Sequence, residues 1–171
     1  MNKKIFFLTI SLLTCLVTKK LSSQTNPDSQ RRAEINKSYW TVISRSVKEG
    51  DYDGYAATCH PNSVLVTTTG ENKRTEPMTS ALARWKQGFM NTRQGKQMDN
   101  VQFRFSQRIG DATTAHETGI FYFTSHDPTG KLISESYTHL EALLVKEGDR
   151  WGYLMEFQKS KATKAAWDAL R

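Results

Sequence analysis

The spacing of apolar residues changes once along this chain, from the period of a helix to the period of a strand. In the first half they recur every three or four positions, as at Trp40, Ile43 and Val47. From Val101 onward they alternate with polar residues, as at Val101 and Phe103. The first spacing aligns side chains on one helix face, and the second aligns them on one strand face. Helices followed by consecutive strands indicate an α+β domain, with the helices covering one face of an antiparallel sheet.

The helical half divides into three predicted helices. Asp28 can cap the first, and the Asp51–Tyr55 segment predicts a second, shorter one. A short strand is predicted at 64–68. Thr75 can then cap the third helix, with Pro77 in its first turn. This half therefore supplies the layer that covers the sheet.

Four longer strands follow, and a turn separates each from the next. They are predicted to begin at Val101 and then to span about 113–125, 132–146 and 150–158. The turn signals are Gly110-Asp111, Asp127-Pro128-Thr129-Gly130 and Gly148-Asp149. Such spacing predicts hairpins between strands that are neighbours in sequence.

Residues 1–23 have the composition of a secretory signal peptide. Lys3 and Lys4 make a basic start, and the apolar run at 5–17 is too short for a comfortable membrane span. We therefore predict export, to the periplasm or the medium, with no stable membrane span after processing. The alternatives are a retained membrane anchor and lipid anchoring through Cys15.

Cleavage after Ser23 would leave a flexible lead at 24–30, a folded domain at 31–160 and a C-terminal tail at 161–171. The tail is alanine-rich and can form a small helix. Only Cys59 would then remain of the two cysteines, so no intrachain disulfide is predicted. Packing would have to supply the stability.

The mature chain would be only weakly basic. Four of the 24 basic residues lie within 1–23, which contains no acidic residue, so 20 basic residues remain against 17 acidic ones, a net charge of +3. The remaining cations are scattered among acids and form no basic stripe with interleaved aromatics. This pattern argues against a nucleic-acid partner.

Three segments, together with the order of elements, resemble the nuclear transport factor 2-like superfamily, particularly its SnoaL-like and ketosteroid isomerase-like members. They are the 50–55 helix junction, the Gly119-Ile120-Phe121-Tyr122-Phe123 strand, and the Leu143–Leu154 hairpin with its Lys, charged turn and Trp. The resemblance covers about residues 30–160. It implies a cone-shaped curved antiparallel sheet covered by three N-terminal helices, the cystatin-like α+β barrel. It also implies a deep, mostly apolar pocket and frequent homodimers through the outer sheet face, but no single chemistry.

His139 and Glu141 are the predicted catalytic pair. They share strand parity with Tyr137 and Leu143, which predicts that both face the pocket. A histidine and a carboxylate in an apolar cavity could transfer a proton in an isomerisation or dehydration. The alternative is a structural role, or a β-bulge that turns both residues outward.

His116 and Glu117 are adjacent in sequence, so only one of them can face the pocket. The strand pattern leaves open which one does. On the last strand, the parity of Trp151 and Tyr153 predicts that Met155 and Phe157 also face inward. Glu156 and Gln158 would then lie on the opposite face.

An aromatic set from the helices and one strand is predicted to enclose the pocket. Its members are Trp40, Tyr55, Trp85, Phe89 and Tyr137, with His60 at the rim. Tyrosine and tryptophan combine an apolar body with a polar tip, which suits a pocket wall. Core packing is the alternative for the two tryptophans.

We expect no metal and no cofactor. The four histidines show no ligand-type spacing, and no glycine-rich phosphate loop opens a helix. The leading hypothesis is an exported domain that binds a small, mostly apolar molecule. The alternatives are an isomerase or dehydratase using the His/Glu pair, and a non-catalytic dimerisation or interaction module of the cell envelope.

Overall fold

The computed structural model of the chain describes residues 26–71 and 73–170. Its helices are α1 Pro27–Ile35, a π-helical turn Asn36–Trp40, α2 Thr41–Glu49, α3 Tyr52–Ala56, α4 Met78–Arg93 and α5 Lys164–Ala169. Its strands are β1 Cys59–Thr67, β2 Arg74–Pro77, β3 Met98–Gly110, β4 Thr114–His126, β5 Leu132–Glu147 and β6 Arg150–Lys161. The predicted signal peptide, its cleavage site and Cys15 lie outside the described residues.

The strands form one open sheet in the order β2-β1-β6-β5-β4-β3. Strands β3 to β6 pair antiparallel, as the hairpin turns predict. β1 also pairs antiparallel with β2, but it runs parallel to β6, so the sheet is mixed rather than purely antiparallel. The α+β prediction is confirmed, with the helices before β3 packed against one face, here called the inner face, and α5 on the opposite, outer face. No described helix is long and apolar enough to cross a membrane.

The first helical segment begins earlier than the sequence pattern predicts. Asn26, not Asp28, caps α1, because its side-chain oxygen accepts a hydrogen bond from the Asp28 amide at 3.0 Å. Pro27 follows at the first helical position, where its fixed φ is already helical. Residues 27–30 are therefore helical, and the prediction of a flexible lead across 24–30 is wrong for that part.

The π-helical turn and the end of α2 place aromatic residues in the core. Tyr39 and Trp40 are consecutive yet both are buried, with ring centroids 4.6 Å apart. Gly50 ends α2 with a φ of +66°, and a Cβ there would lie 2.4 Å from the Phe89 carbonyl oxygen. Glycine is therefore required both for the left-handed turn and for the close approach of α4.

The polar stretch before α4 contains a strand that the sequence pattern missed. Arg74–Pro77 pairs with Val64–Thr67 of β1 and forms the edge of the sheet. This strand carries no apolar alternation, so its periodicity gave no signal. α4 consequently begins at Met78 with Pro77 as its cap residue, and the predicted start at Thr75 is wrong.

A β-bulge at Ser106 changes which side chains of β3 face inward. Phe105 pairs with Gly119, but Gln107 pairs with Thr118, so Ser106 is an extra residue. Because one extra residue reverses strand parity, Arg108 takes the inner face. Ile109, which shares the odd parity of Val101 and Phe103, is 51% exposed.

A second bulge, at Leu154, reverses the parity of β6. Leu143 pairs with Met155, whereas Leu144 pairs with Tyr153. Beyond the bulge Glu156 pairs with the buried Ala142, so it lies on the inner face, and Gln158 follows it there. Met155 and Phe157 lie on the outer face, so the predicted orientation of all four residues is wrong.

Candidate functional site

A cavity of about 450 Å³ lies between helices α2 to α4 and the inner face of the sheet. Its volume is in the range of ordinary small-molecule sites. Seven aromatic side chains line it: Trp40, Tyr55, Trp85, Phe89, Phe103, Phe121 and Phe123. The remaining lining residues are Ile43, Val47, Arg84, Gly88, Gln97, Asp99, Val101, Glu156 and Gln158.

Four predicted pocket residues lie in this wall, namely Trp40, Tyr55, Trp85 and Phe89. Trp40 is the last residue of the π-helical turn, Tyr55 lies in α3, and Trp85 and Phe89 lie one turn apart on α4. Tyr55 packs edge-on against Trp85 and Phe89, with ring centroids 6.0 and 5.3 Å away. The two tryptophans thus serve as core residues and cavity wall at once.

The predicted catalytic pair lies on the outer face. The buried residues of β5 are the even ones, including Leu140, Ala142 and Leu144, so His139 and Glu141 point the other way. Glu141 contacts Lys159 at 2.9 Å and His116 at 3.6 Å. The prediction that His139 and Glu141 face the pocket is therefore wrong.

Tyr137 also lies on the outer face, where its ring stacks on Tyr122 at 4.4 Å between centroids. Trp167 of α5 packs against both tyrosines at 5.7 and 6.1 Å. This outer aromatic cluster explains the misassignment. Both faces of β5 carry apolar residues, so alternation alone cannot identify the inner one.

His60 is at neither the cavity nor its rim. Its Nε2 lies 3.1 Å from Glu147 Oε1, and its Nδ1 accepts a hydrogen bond from the Asn62 amide at 3.0 Å. Cys59 lies beside it, and burial raises the pKa of the Cys59 thiol. His60 therefore takes part in a local contact between β1 and the β5–β6 turn.

Of the adjacent pair on β4, Glu117 faces inward and His116 faces outward. Glu117 is fully buried, and its two oxygens accept hydrogen bonds from Arg108 at 2.8 and 3.0 Å. The Trp40 indole N–H donates a third, at 2.6 Å. This carboxylate is saturated by protein donors, and it fixes the orientation of a cavity-wall tryptophan.

Glu156 is also buried, but its carboxyl group has fewer hydrogen-bond partners than that of Glu117. It is 8% exposed, and Gln158 donates a hydrogen bond to its Oε1 at 2.8 Å. Among the described residues, Oε2 has no hydrogen-bond partner, yet it keeps accessible surface, and the residue lines the cavity. Burial raises the Glu156 pKa above its ordinary value, and the Gln158 hydrogen bond opposes this only in part.

Three buried tyrosines are influenced by the charge of this carboxyl group. Burial, reinforced by the charge of Glu156, holds the pKa values of Tyr39, Tyr55 and Tyr153 well above the ordinary tyrosine value. Their hydroxyls are therefore neutral at physiological pH. Tyr55 also lines the cavity, so it adds a neutral polar group to that wall.

Two further charged residues reach the cavity from its other walls. Asp99 Oδ2 accepts hydrogen bonds from Gln97 at 2.7 Å and Thr92 at 3.1 Å. The Arg84 guanidinium is paired with Glu76 at 2.5 Å. Hence the only cation in the described lining already has a carboxylate partner.

Glu156, Gln158 and Asp99 are site residues that the sequence pattern did not indicate. For β6 one signal was present, since the consecutive apolar residues Leu154-Met155 interrupt the alternation at the bulge. Within the described part of the chain, no group of three or more His, Cys, Asp or Glu residues could hold a metal ion. The absence of a metal and of a cofactor stays a prediction.

Comparison with solved structures gives the fold. The chain is similar to an NTF-2 like protein of unknown function from Shewanella oneidensis MR-1, with a TM-score of 0.59 at 15% identity, over 74% of this chain and 97% of the other. It is also similar to Aln2 from a Streptomyces species, with a TM-score of 0.59 at 14% identity, over 77% of this chain and 90% of the other.

A third similar structure, from Catenulispora acidiphila, is a complex with S-DNPA. Its TM-score is 0.57 at 12% identity, over 78% of this chain and 94% of the other. No family model and no curated protein matches the sequence. At these identities the likeness establishes the fold alone.

Proposed function

We propose that this protein, which has the fold of the nuclear transport factor 2-like proteins, binds a small, mostly apolar molecule in its inner cavity. One observation carries the proposal: an aromatic-lined cavity of about 450 Å³ whose lining includes the buried carboxyl group of Glu156, one oxygen of which has no hydrogen-bond partner among the described residues. Apolar walls with a few oriented polar groups are the usual composition of a ligand site. The S-DNPA complex of a structural neighbour supports this use of the fold.

The test is a fluorescence titration with N-phenyl-1-naphthylamine, a neutral apolar probe. Gly88 lies in α4 at the cavity wall, and a Cβ there would have its nearest contact at 3.9 Å. Gly88→Leu therefore fills the cavity without a backbone clash. Replacing glycine by leucine also raises the helix propensity at this position. Ala83→Leu is the matched control, because Ala83 is exposed on the same helix.

We expect the wild type and Ala83→Leu to bind the probe alike, and Gly88→Leu to bind at least about tenfold more weakly, a loss of about 1.4 kcal/mol. Unfolding in urea checks that Gly88→Leu remains folded. Equal probe binding by all three proteins would mean that the probe binds elsewhere and would overturn the proposal.

A second candidate function is acid–base catalysis in the same cavity, favoured by the raised pKa of Glu156. A carboxyl group with a raised pKa is a competent proton donor or acceptor near neutral pH. In this candidate, the proton-transfer role of the isomerase or dehydratase hypothesis belongs to Glu156 instead of His139 and Glu141.

The test reaction is the ring-opening elimination of 5-nitrobenzisoxazole, a neutral aromatic molecule that needs one base. The base removes the C3 proton, the C–H electron pair forms the nitrile, and the N–O bond breaks to release a phenolate. We expect Glu156→Gln to abolish turnover and Glu141→Gln, on the outer face, to preserve it. An unchanged rate in Glu156→Gln would rule out this candidate.

We further propose that the protein acts after export to the periplasm or the medium. The support is the basic and apolar pattern of residues 1–23. N-terminal sequencing of the protein from an exporting host is expected to begin at Gln24. A first residue at Met1 would refute cleavage after Ser23 and favour the retained membrane anchor, and a lipid-modified Cys15 would favour the lipid-anchored alternative.

We also propose that the protein forms a homodimer through the outer sheet face. Large apolar side chains are exposed at Met98 and Ile109 on the edge strand β3, and at Leu132 and Ile133 at the start of β5. Native mass spectrometry tests the subunit number. A monomer at micromolar concentration would refute the dimer, and with it the hypothesis that the protein is a dimerisation module.

A further inference from the structure

Charges in the cavity narrow the class of ligand. We infer that the natural ligand is an apolar amine, bound as an ammonium cation with the Glu156 carboxylate as its counter-ion. This inference rests on the proposed function, since it specifies the ligand of the same cavity. It goes beyond an apolar fit, because a neutral molecule of the same shape would leave the Glu156 oxygen without a charged partner.

The charge balance of the lining is negative. Glu156 and Asp99 are acidic, and the Arg84 guanidinium is held by Glu76 at 2.5 Å. No lysine or histidine belongs to the described lining. A carboxylate ligand would therefore meet two like charges and no free cation, and like-charge repulsion strengthens as water is excluded.

The point of attachment is built by Glu156 and Gln158. Oε1 of Glu156 accepts the Gln158 amide hydrogen bond at 2.8 Å, which leaves Oε2 free at the cavity. Gln158 uses its amide nitrogen there, so its amide oxygen is left as a second acceptor. An ammonium group has donors and no acceptor, and it matches this pair of oxygens.

A cationic ligand would also offset the electrostatic cost of burying the ionised Glu156 carboxylate. Burial without a cation disfavours the ionised carboxylate, and a cation in contact with it restores that form. Aromatic walls add to the match, because their ring faces attract cations as well as apolar groups. Trp40, Tyr55 and Trp85 are among these walls.

Three naphthalene derivatives of nearly equal size test the inference: 1-naphthylmethylamine, 1-naphthylmethanol and 1-naphthoate. Each is titrated against the purified full-length protein at pH 7, by displacement of N-phenyl-1-naphthylamine. We expect the amine to bind about tenfold more tightly than the alcohol, and the carboxylate to bind more weakly than both.

The variant Glu156→Gln locates the preference. It keeps the side-chain shape and removes the charge, so the amine and the alcohol are expected to bind alike. Glu141→Gln, on the outer face, is the control and is expected to keep the tenfold preference. Should Glu156→Gln fail to fold, the order of the three compounds on the wild type remains a test.

The outcomes distinguish the inference from the proposed function. If the neutral probe binds but the wild type takes the alcohol as well as the amine, the inference is wrong and the proposed function stands. An amine preference that survives Glu156→Gln would also overturn the inference. If neither the probe nor any of the three compounds binds, the proposed function fails as well.

Discussion

Two glutamates on the inner face of the sheet are almost equally buried and differ in what surrounds them. Glu117 is enclosed by Arg108 and the Trp40 indole, which supply three hydrogen bonds and a positive charge. Glu156 receives one hydrogen bond, from a neutral amide, and its second oxygen is open to the cavity. Glu117 is thus part of a hydrogen-bonded network with Arg108 and Trp40, whereas one oxygen of Glu156 has no hydrogen-bond partner among the described residues. The partners of a buried charge, rather than its burial, therefore identify the site.

The largest effect is expected from breaking the completed network. Glu117→Ala leaves Arg108, which is only 11% exposed, without its counter-charge and the Trp40 N–H without an acceptor. Such a loss typically costs about 3–5 kcal/mol of unfolding free energy. Urea unfolding measures it, with Glu156→Gln as the matched comparison, for which we expect a change below about 1 kcal/mol. Equal losses in the two variants would remove the distinction between the glutamates.

The pH dependence of stability should differ between the wild type and Glu156→Gln. The folded-state pKa of Glu156 is raised by burial, so its contribution is fully present below the unfolded-state value and is lost as pH rises through the folded-state value. Glu156→Gln lacks this loss. Its stability relative to the wild type is thus expected to increase with pH above about 4.5, the ordinary glutamate value.

Urea unfolding from pH 4 to pH 8 checks this sign. Glu141→Gln is the opposite control, because the Lys159 hydrogen bond lowers the Glu141 pKa. Its contribution to stability is present above the ordinary value and is lost as pH falls through the lowered one. A stability difference between the wild type and Glu156→Gln that stays constant with pH would show that burial does not raise the pKa of Glu156.

The cavity residues that lie on helices could be predicted from the sequence. Helix faces followed from three- and four-residue spacing, so Trp40, Trp85 and Phe89 lie in the cavity wall as their stripes indicate. The order of helices and strands was also readable, except for the edge strand β2. Periodicity is robust in these helices because their apolar stripes are wide and tolerate small rotations.

Strand faces depend on every residue between the start of the strand and the site. The extra residue Leu154 moved Glu156 inward, and the extra residue Ser106 brought Arg108 opposite Glu117. For β5 the error had another cause: both parities carry apolar residues, with Tyr137 and Leu143 on the outer face and Leu140 and Leu144 on the inner one. Alternation cannot distinguish the inner face from the outer one when both are apolar, and the packing of α2 to α4 on one of them decides it.

A smaller effect on stability is expected from changing Trp40, which lines the cavity and donates a hydrogen bond to Glu117. Trp40→Phe keeps an aromatic ring but removes the N–H that donates to Glu117, while the Arg108 hydrogen bonds remain. The expected loss is about 1–2 kcal/mol, from one hydrogen bond and some packing. Probe binding by this variant should weaken slightly, because the ring loses its anchor. A loss as large as that in Glu117→Ala would assign the network's stability to the indole instead of the ion pair.

The smallest effect is expected on the outer face, where charge pairs meet solvent. Lys159 is 56% exposed and Glu141 is 23% exposed, so water screens their contact at 2.9 Å. A pair of this kind usually contributes about 0–1 kcal/mol, and less at high salt. A double-mutant cycle with Lys159→Ala and Glu141→Gln, at low and high salt, measures the coupling, and N-phenyl-1-naphthylamine binding should be unchanged. A coupling near that of a buried pair would mean that another surface covers this face, since only exclusion of water could strengthen the contact so far.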